Sequence, residues 1–190
     1  MGITSLEKIK MTVGELLKEF YKKNGIPKDG GSDKKTFKFK TFGISLTLPN
    51  PKFRRDVLHI HDIQHILNNC DTSWKGEGYI AGWEISTGMI KHFPLGFLSL
   101  WAMGYSLWMY PRAVFNGFRK GLNNIGIIDL KINKEEFLSM SFEELQNLTQ
   151  KHPNKEITYL QAIEFICWCV LSQIVLLFPF VVTSILFWLY

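Results

Sequence analysis

His61 and His65 stand four residues apart in a run, Arg54 to Leu67, that contains neither glycine nor proline. On a helix their imidazoles leave the same face one turn apart, and Asp62, three residues before His65, flanks that side. Eleven residues separate His65 from Glu77. The turn Asn68-Asn69-Cys70-Asp71-Thr72-Ser73 lies between them, so an antiparallel return of the next helix could bring the Glu77 carboxylate to the open side of the histidines. Two neutral imidazoles with carboxylate oxygens suit divalent zinc, and equally iron or manganese, because these donors alone do not select among first-row ions. Glu84 follows seven residues on along the same face. It could hold the second ring nitrogen of a ligating histidine or act as a general acid/base. A bare pair of histidines four apart is more often an ordinary pair of helix residues, and it is the added Asp62 and Glu77 that favour a metal. His59 faces elsewhere on the helix and, with His92 and His152, reads as a surface histidine.

These residues need two consecutive helices to carry them. The pattern predicts an amphipathic helix from Ser5 to Lys22, ending before Gly25 and Pro27, then a loop at Asp29-Gly30-Gly31-Ser32-Asp33. Two alternating runs, Thr36 to Phe42 and Ile44 to Leu48, predict a short hairpin within residues 34–48 before Pro49-Asn50-Pro51. Helical pattern resumes at Phe53, and a further helix is expected from Trp74 to Lys91. Phe93 to Pro111 is uncharged but contains Pro94, Gly96 and Gly104 and has basic flanks, which favours a buried or interfacial helix over a span. Asn116 to Gln161 is polar, with Ser141-x-x-Glu144 as a capping box. Phe165 to Tyr190 has 26 residues without a charge and reads as a membrane segment, in which Pro179 would kink a single span or turn a re-entrant hairpin. The expected organisation is a helical metal-binding domain over 1–160 and a membrane anchor over 161–190, mostly α in class.

The net charge of +5 on 190 residues comes without a dense Lys/Arg cluster, so nucleic acid is not the expected partner. Lys34, Lys35, Lys38 and Lys40 alternate with Thr36, Phe37 and Phe39 as the wet face of a strand. Three cysteines make no disulfide framework, which fits a reducing compartment. Met1-Gly2 is followed by Leu6 where a myristoylation pattern needs Ser or Thr, and no apolar export segment follows. Lys151 and Lys155 precede the last segment and no charge follows it, so the metal domain is expected on the cytoplasmic side, at the inner membrane if the cell is bacterial.

The pattern differs from the zinc-protease motif H-E-x-x-H, because Asp62 shortens the general base by a methylene. The dipeptide His61-Asp62 also occurs in HD-type phosphohydrolases, a minor alternative because these need a further upstream His and a distant Asp that the pattern does not assign. The chain resembles the family of coenzyme Q biosynthesis protein four, whose signature H-D-x-x-H-x11-E stands here as His61-Asp62-Ile63-Gln64-His65 and Glu77. The likeness extends over roughly half the chain, from Asn24-Gly25-Ile26-Pro27-Lys28-Asp29-Gly30-Gly31 through Leu48-Pro49-Asn50, Arg54-Arg55, Thr72-Ser73-Trp74-Lys75-Gly76-Glu77 and Ala81-Gly82-Trp83-Glu84 to Pro111-Arg112. It departs in the charge-free C-terminal segment, and in Leu67-Asn68-Asn69-Cys70 where Leu-Thr-Gly-Tyr is usual.

The resemblance implies a mostly helical fold, a zinc-type ion on His61, Asp62, His65 and Glu77, and work at a membrane on a polyprenylated quinone precursor. That work would be ring decarboxylation with oxidation, or organisation of the other quinone-synthesis proteins. Glu84 or Arg54 would manage protons or charge. Other expectations are a non-catalytic lipid-binding scaffold with a structural ion and a membrane-bound metal-dependent hydrolase, with a homo-oligomer compatible with any of them.

Overall fold

The computed structural model describes residues 5–41, 44–151 and 156–189. In chain order its helices are α1 (Ser5–Lys10), α2 (Val13–Asn24), α3 (Lys52–Leu67), α4 (Trp74–Thr87), α5 (Leu95–Met109), α6 (Pro111–Gly121), α7 (Lys134–Ser139), α8 (Phe142–Thr149) and α9 (Tyr159–Leu189). Strands β1 (Thr36–Thr41) and β2 (Ile44–Pro49) pair antiparallel between α2 and α3, from Thr36 opposite Pro49 to Thr41 opposite Ile44. The fold is therefore mostly helical, with the expected N-terminal hairpin and a long apolar helix at the C-terminal end. Phe42 and Gly43, at the predicted turn, lie outside the described residues. The chain forms two compact units, residues 1–69 with 131–148, and 70–130 with 149–190.

In the first unit the single predicted N-terminal helix is two helices. Thr12 Oγ1 accepts from the Glu15 N–H at 3.2 Å while the Glu15 carboxylate accepts from the Thr12 N–H at 2.9 Å, a reciprocal cap that starts α2 afresh. The break also serves a distant segment: Val13 N–H donates to Met140 O and Phe142 N–H to Met11 O, both at 3.0 Å. Apolar spacing runs unbroken across this junction, which hides it from periodicity. Val13, Leu16, Leu17 and Tyr21 of α2, Leu58, Ile63 and Ile66 of α3, and Phe137 of α7 are buried. Lys8 closes the far end of α3, donating to Ile66 O at 2.8 Å with its ammonium 4.6 Å from the centre of the Phe142 ring.

The second unit rests on close contact of α4 with α6. Gly78 and Gly82 lie one turn apart on α4, as do Gly117 and Gly121 on α6. A Cβ on Gly82 would meet Val114 O, and one on Gly117 would meet Tyr79 O, both inside contact distance. Around them Ala81, Ile85, Leu100, Met103, Val114 and Phe118 form a buried cluster. α4 stops at Thr87, short of the predicted Lys91, because Gly88 takes the left-handed conformation (φ 94°) and a 3-10 turn, Met89–Lys91, follows. Pro111, expected to close the apolar helix, instead opens α6 within its first turn, where its missing N–H costs nothing. Ser141 does cap α8, accepting from the Glu144 N–H at 3.1 Å.

α9 belongs to this unit and runs through Pro179 without a break, so there is no re-entrant turn. Its first half packs inward: the Phe165 ring lies 5.1 Å from those of Phe115 and Phe118, and Ser172 and Leu176 are buried. Only 11 % of its most apolar stretch is buried. By length and composition α9 can cross a membrane.

Gly117→Ala drives a methyl into the Tyr79 carbonyl on a rigid helix. It should cost about 1–3 kcal/mol by overpacking, read as a lower melting temperature. Gly31→Ala serves as the comparison, since nothing lies within 4 Å of its added Cβ, although φ +84° charges it some backbone strain.

Candidate metal centre

α3 begins where Asn50 ties down the chain that enters it. The buried Asn50 amide donates to Gly31 O at 3.2 Å and Lys34 O at 2.9 Å, and its carbonyl accepts from the Arg54 guanidinium at 2.8 Å. Arg54 also lies over the Phe37 ring, 4.1 Å from its centre. Its charge is thus spent on the loop and hairpin that flank the helix start.

One turn apart on α3, His61 is half-buried and His65 is 1 % exposed. Their Nε2 atoms face each other at 3.3 Å, with ring centres 5.0 Å apart and planes at 76°. The Phe20 ring lies against His65 at 6.0 Å and limits its rotation. Two nitrogens bound to one tetrahedral ion at about 2.0–2.1 Å are separated by about 3.3–3.4 Å. An N–H···N hydrogen bond between neutral rings would draw them nearer to about 2.9–3.0 Å. The separation is compatible with a shared ion, and it also lies within hydrogen-bond reach of one neutral ring donating to the other.

Asp62 points to a different partner. Its carboxylate accepts a hydrogen bond from the Tyr21 hydroxyl, and both groups are buried. Burial first, and then the Asp62 charge and hydrogen bond, push the Tyr21 phenol far above its usual pKa. Gly30 roofs the pair: a Cβ there would lie 2.5 Å from the Tyr21 oxygen and 3.4 Å from Asp62 Oδ2. Tyr21 was not singled out from the sequence, although it sits four residues after Leu17 on the apolar face.

Glu77 lies in the first turn of α4, where the positive end of the helix favours a carboxylate. That helix is started by Ser73, which accepts from the Gly76 N–H at 3.4 Å and is itself held by Asp71. Glu84, further along α4, is 6 % exposed and accepts from Ser99 Oγ of α5 at 2.6 Å. Ser99 is a partner that no spacing rule announces. Burial, with the carboxylates of Asp71 and Glu77, pushes the Cys70 thiol up to about 11, so it stays a neutral thiol at pH 7.

Of the remaining histidines, His59 differs from the expected surface reading. His59 is half-buried with its ring edge-on to Phe137 at 6.5 Å, and burial, aided by Lys134, lowers its pKa to about 4. His92 pairs with Asp129 at 2.8 Å. His152 lies outside the described residues.

His61, His65 and Glu77 each offer one ligand atom and as a group could hold a metal ion; Asp62 is not among them. The class so defined is a mostly helical protein with, among the described residues, one helix long and apolar enough to cross a membrane and a His/Glu group that could hold a metal ion. No family model, curated protein or solved structure matches the chain.

Tyr21→Phe removes the hydroxyl from Asp62 while keeping the ring. It should lower stability by about 1–3 kcal/mol, and the loss should persist when a chelator is present, since the bond is between protein groups. Equal melting temperatures for Tyr21→Phe and wild type would refute this account of the pair. Cys70 should react with iodoacetamide at pH 8 far more slowly in the folded chain than after denaturation, as followed by peptide mass.

Proposed function

We propose that the chain is a metal-dependent membrane protein that acts on, or organises the modification of, a polyprenylated quinone precursor. The observation that carries this reading is the pair of imidazoles on α3 with Nε2 atoms 3.3 Å apart. His61, His65 and Glu77 would hold the ion, zinc fitting best. Three protein donors leave a position for substrate or water on a tetrahedral ion. When bound there, the ion supplies a Lewis acid that polarises a ring carboxylate or hydroxyl. Asp62, held by Tyr21, fixes the rotation of α3 that turns both histidines to one side. Glu84 is a buried carboxylate for proton handling, with Ser99 orienting it.

The apolar α9 supports the second half of the reading, because an isoprenoid tail has to be met where it is dissolved. Lys151 and Lys155 ahead of it favour a cytoplasmic metal-binding body.

The test is metal per chain after purification without a histidine tag, with thermal melts in the presence and absence of chelator. Wild type should carry a stoichiometric ion and melt lower when it is removed, since the ion binds only the folded chain. His65→Ala should lose both the ion and the chelator effect. Glu77→Gln should weaken binding less, and Glu84→Gln should keep the ion. Full metal content in a His61→Ala, His65→Ala double variant would refute the site.

Anchoring is tested separately by ending the chain at Leu176, which spares the half of α9 that packs inward. The shortened protein should become extractable with carbonate, whereas the full chain should resist it. Persistent resistance would show that the stretch after Leu176 is not what holds the chain in the membrane.

A further inference from the structure

We infer that the outward side of α5 enters the lipid together with α9, so that the membrane is met by a pair of helices. The inference rests on reading α9 as the membrane helix, and it begins from lengths. From Leu177 to Trp188 all side chains of α9 are exposed. At 1.5 Å per residue this stretch extends about 18 Å. A hydrocarbon core of about 30 Å needs about 12 Å more, or about eight residues. Within the described helix, Tyr159–Leu189, those residues come from the part of α9 that ends at Leu176, and that part packs on α5.

The contact is close. A Cβ on Gly104 would lie 2.5 Å from Ser172 O and 3.2 Å from the Leu176 Cβ, so the two helices meet with almost nothing between their backbones. Gln173 Nε2 donates to Gly104 O at 2.9 Å, and its Oε1 accepts from the Trp108 indole N–H at 2.8 Å. A polar side chain in hydrocarbon needs its partners inside the protein, and α5 supplies both to Gln173. A helix touching this part of α9 cannot stay in water while α9 crosses the full core.

The composition of α5 agrees. No Asp, Glu, Lys or Arg occurs from Phe93 to Pro111. Its outward side shows Phe97, Leu98, Trp108 and Met109, exposed by 46, 38, 70 and 47 %, with Phe93 just ahead at 85 %. Lys91 and Arg112 bracket the segment, and their apolar stems can lie along it with the charges at the headgroups. The occupant of this face is the acyl-chain region of a bilayer, because the face continues the exposed apolar surface of α9.

The experiment uses the full-length chain with Cys70, Cys167 and Cys169 replaced by Ala. A nitrobenzoxadiazole label is placed singly through Phe97→Cys, Leu98→Cys, Phe187→Cys or Lys120→Cys. The protein is reconstituted in phosphatidylcholine vesicles with a minority of phosphatidylglycerol, with or without doxyl-labelled acyl chains. Emission at 97, 98 and 187 should be lost to the doxyl groups, and emission at 120, exposed on α6, should not. Loss at 187 without loss at 97 and 98 overturns the inference and leaves the anchor reading standing. Loss at none of the three removes the anchor reading, and the inference with it. Labels at 97 and 98 that escape doxyl groups but cross-link between chains assign the face to a second copy and also overturn it.

Discussion

Contact between the backbones of α4 and α6 is the constraint on which the second unit depends. Two glycines a turn apart on each helix let carbonyls and Cα atoms approach where side chains would hold helices about 8–10 Å apart. With so little between them, rotation of α4 about its own axis is blocked. Glu77 and Glu84 ride on that helix, so the direction of both carboxylates is set by atoms that carry no charge. Glu84 shows the result, since it meets Ser99 at hydrogen-bond distance while buried. A buried carboxylate without such a donor would be strongly destabilising.

The first unit fixes its helix in another way, through polar groups that have left water together. Tyr21 and Asp62 hold α2 to α3 in the interior, while Asn50 and Arg54 hold the loop and hairpin to the start of α3. These bonds give direction, which apolar packing alone supplies poorly. The histidine pair needs that direction, because a turn of α3 by a fraction of one residue would separate the two Nε2 atoms from a common target.

Local signals made much of this legible in the sequence. Ser73 before α4, Ser141 before α8, and the glycines of α4 are visible as caps and small residues, and the spacing of His61 and His65 places them on one face without knowledge of the fold. What stayed hidden depends on partners distant in the chain. The break at Thr12 is set by the segment around Ser141, while apolar spacing passes through it unchanged. Asp62 looked like a fourth donor because it neighbours His61, yet adjacent helical residues diverge by about 100°, and Tyr21 takes its carboxylate. Pro111 marked the end of one helix and equally the beginning of the next. Proline fits both, and only the burial of Val114 and Phe118 on α4 decides between them. His59 was assigned to solvent because α7, which covers it, lies far along the chain.

The pairing of Thr12 with Ser141 has a consequence for how the chain is made. The unit that bears the histidines is discontinuous: α7 and α8 as far as Leu148 complete it only after the whole stretch from Cys70 to Leu130 has been synthesised. During translation α2 and α3 therefore wait with an uncovered apolar side, and closing so long a loop is slow compared with forming local helices. α9 follows α7 and α8 in the chain, so every segment of the histidine-bearing unit is synthesised before this apolar helix is complete.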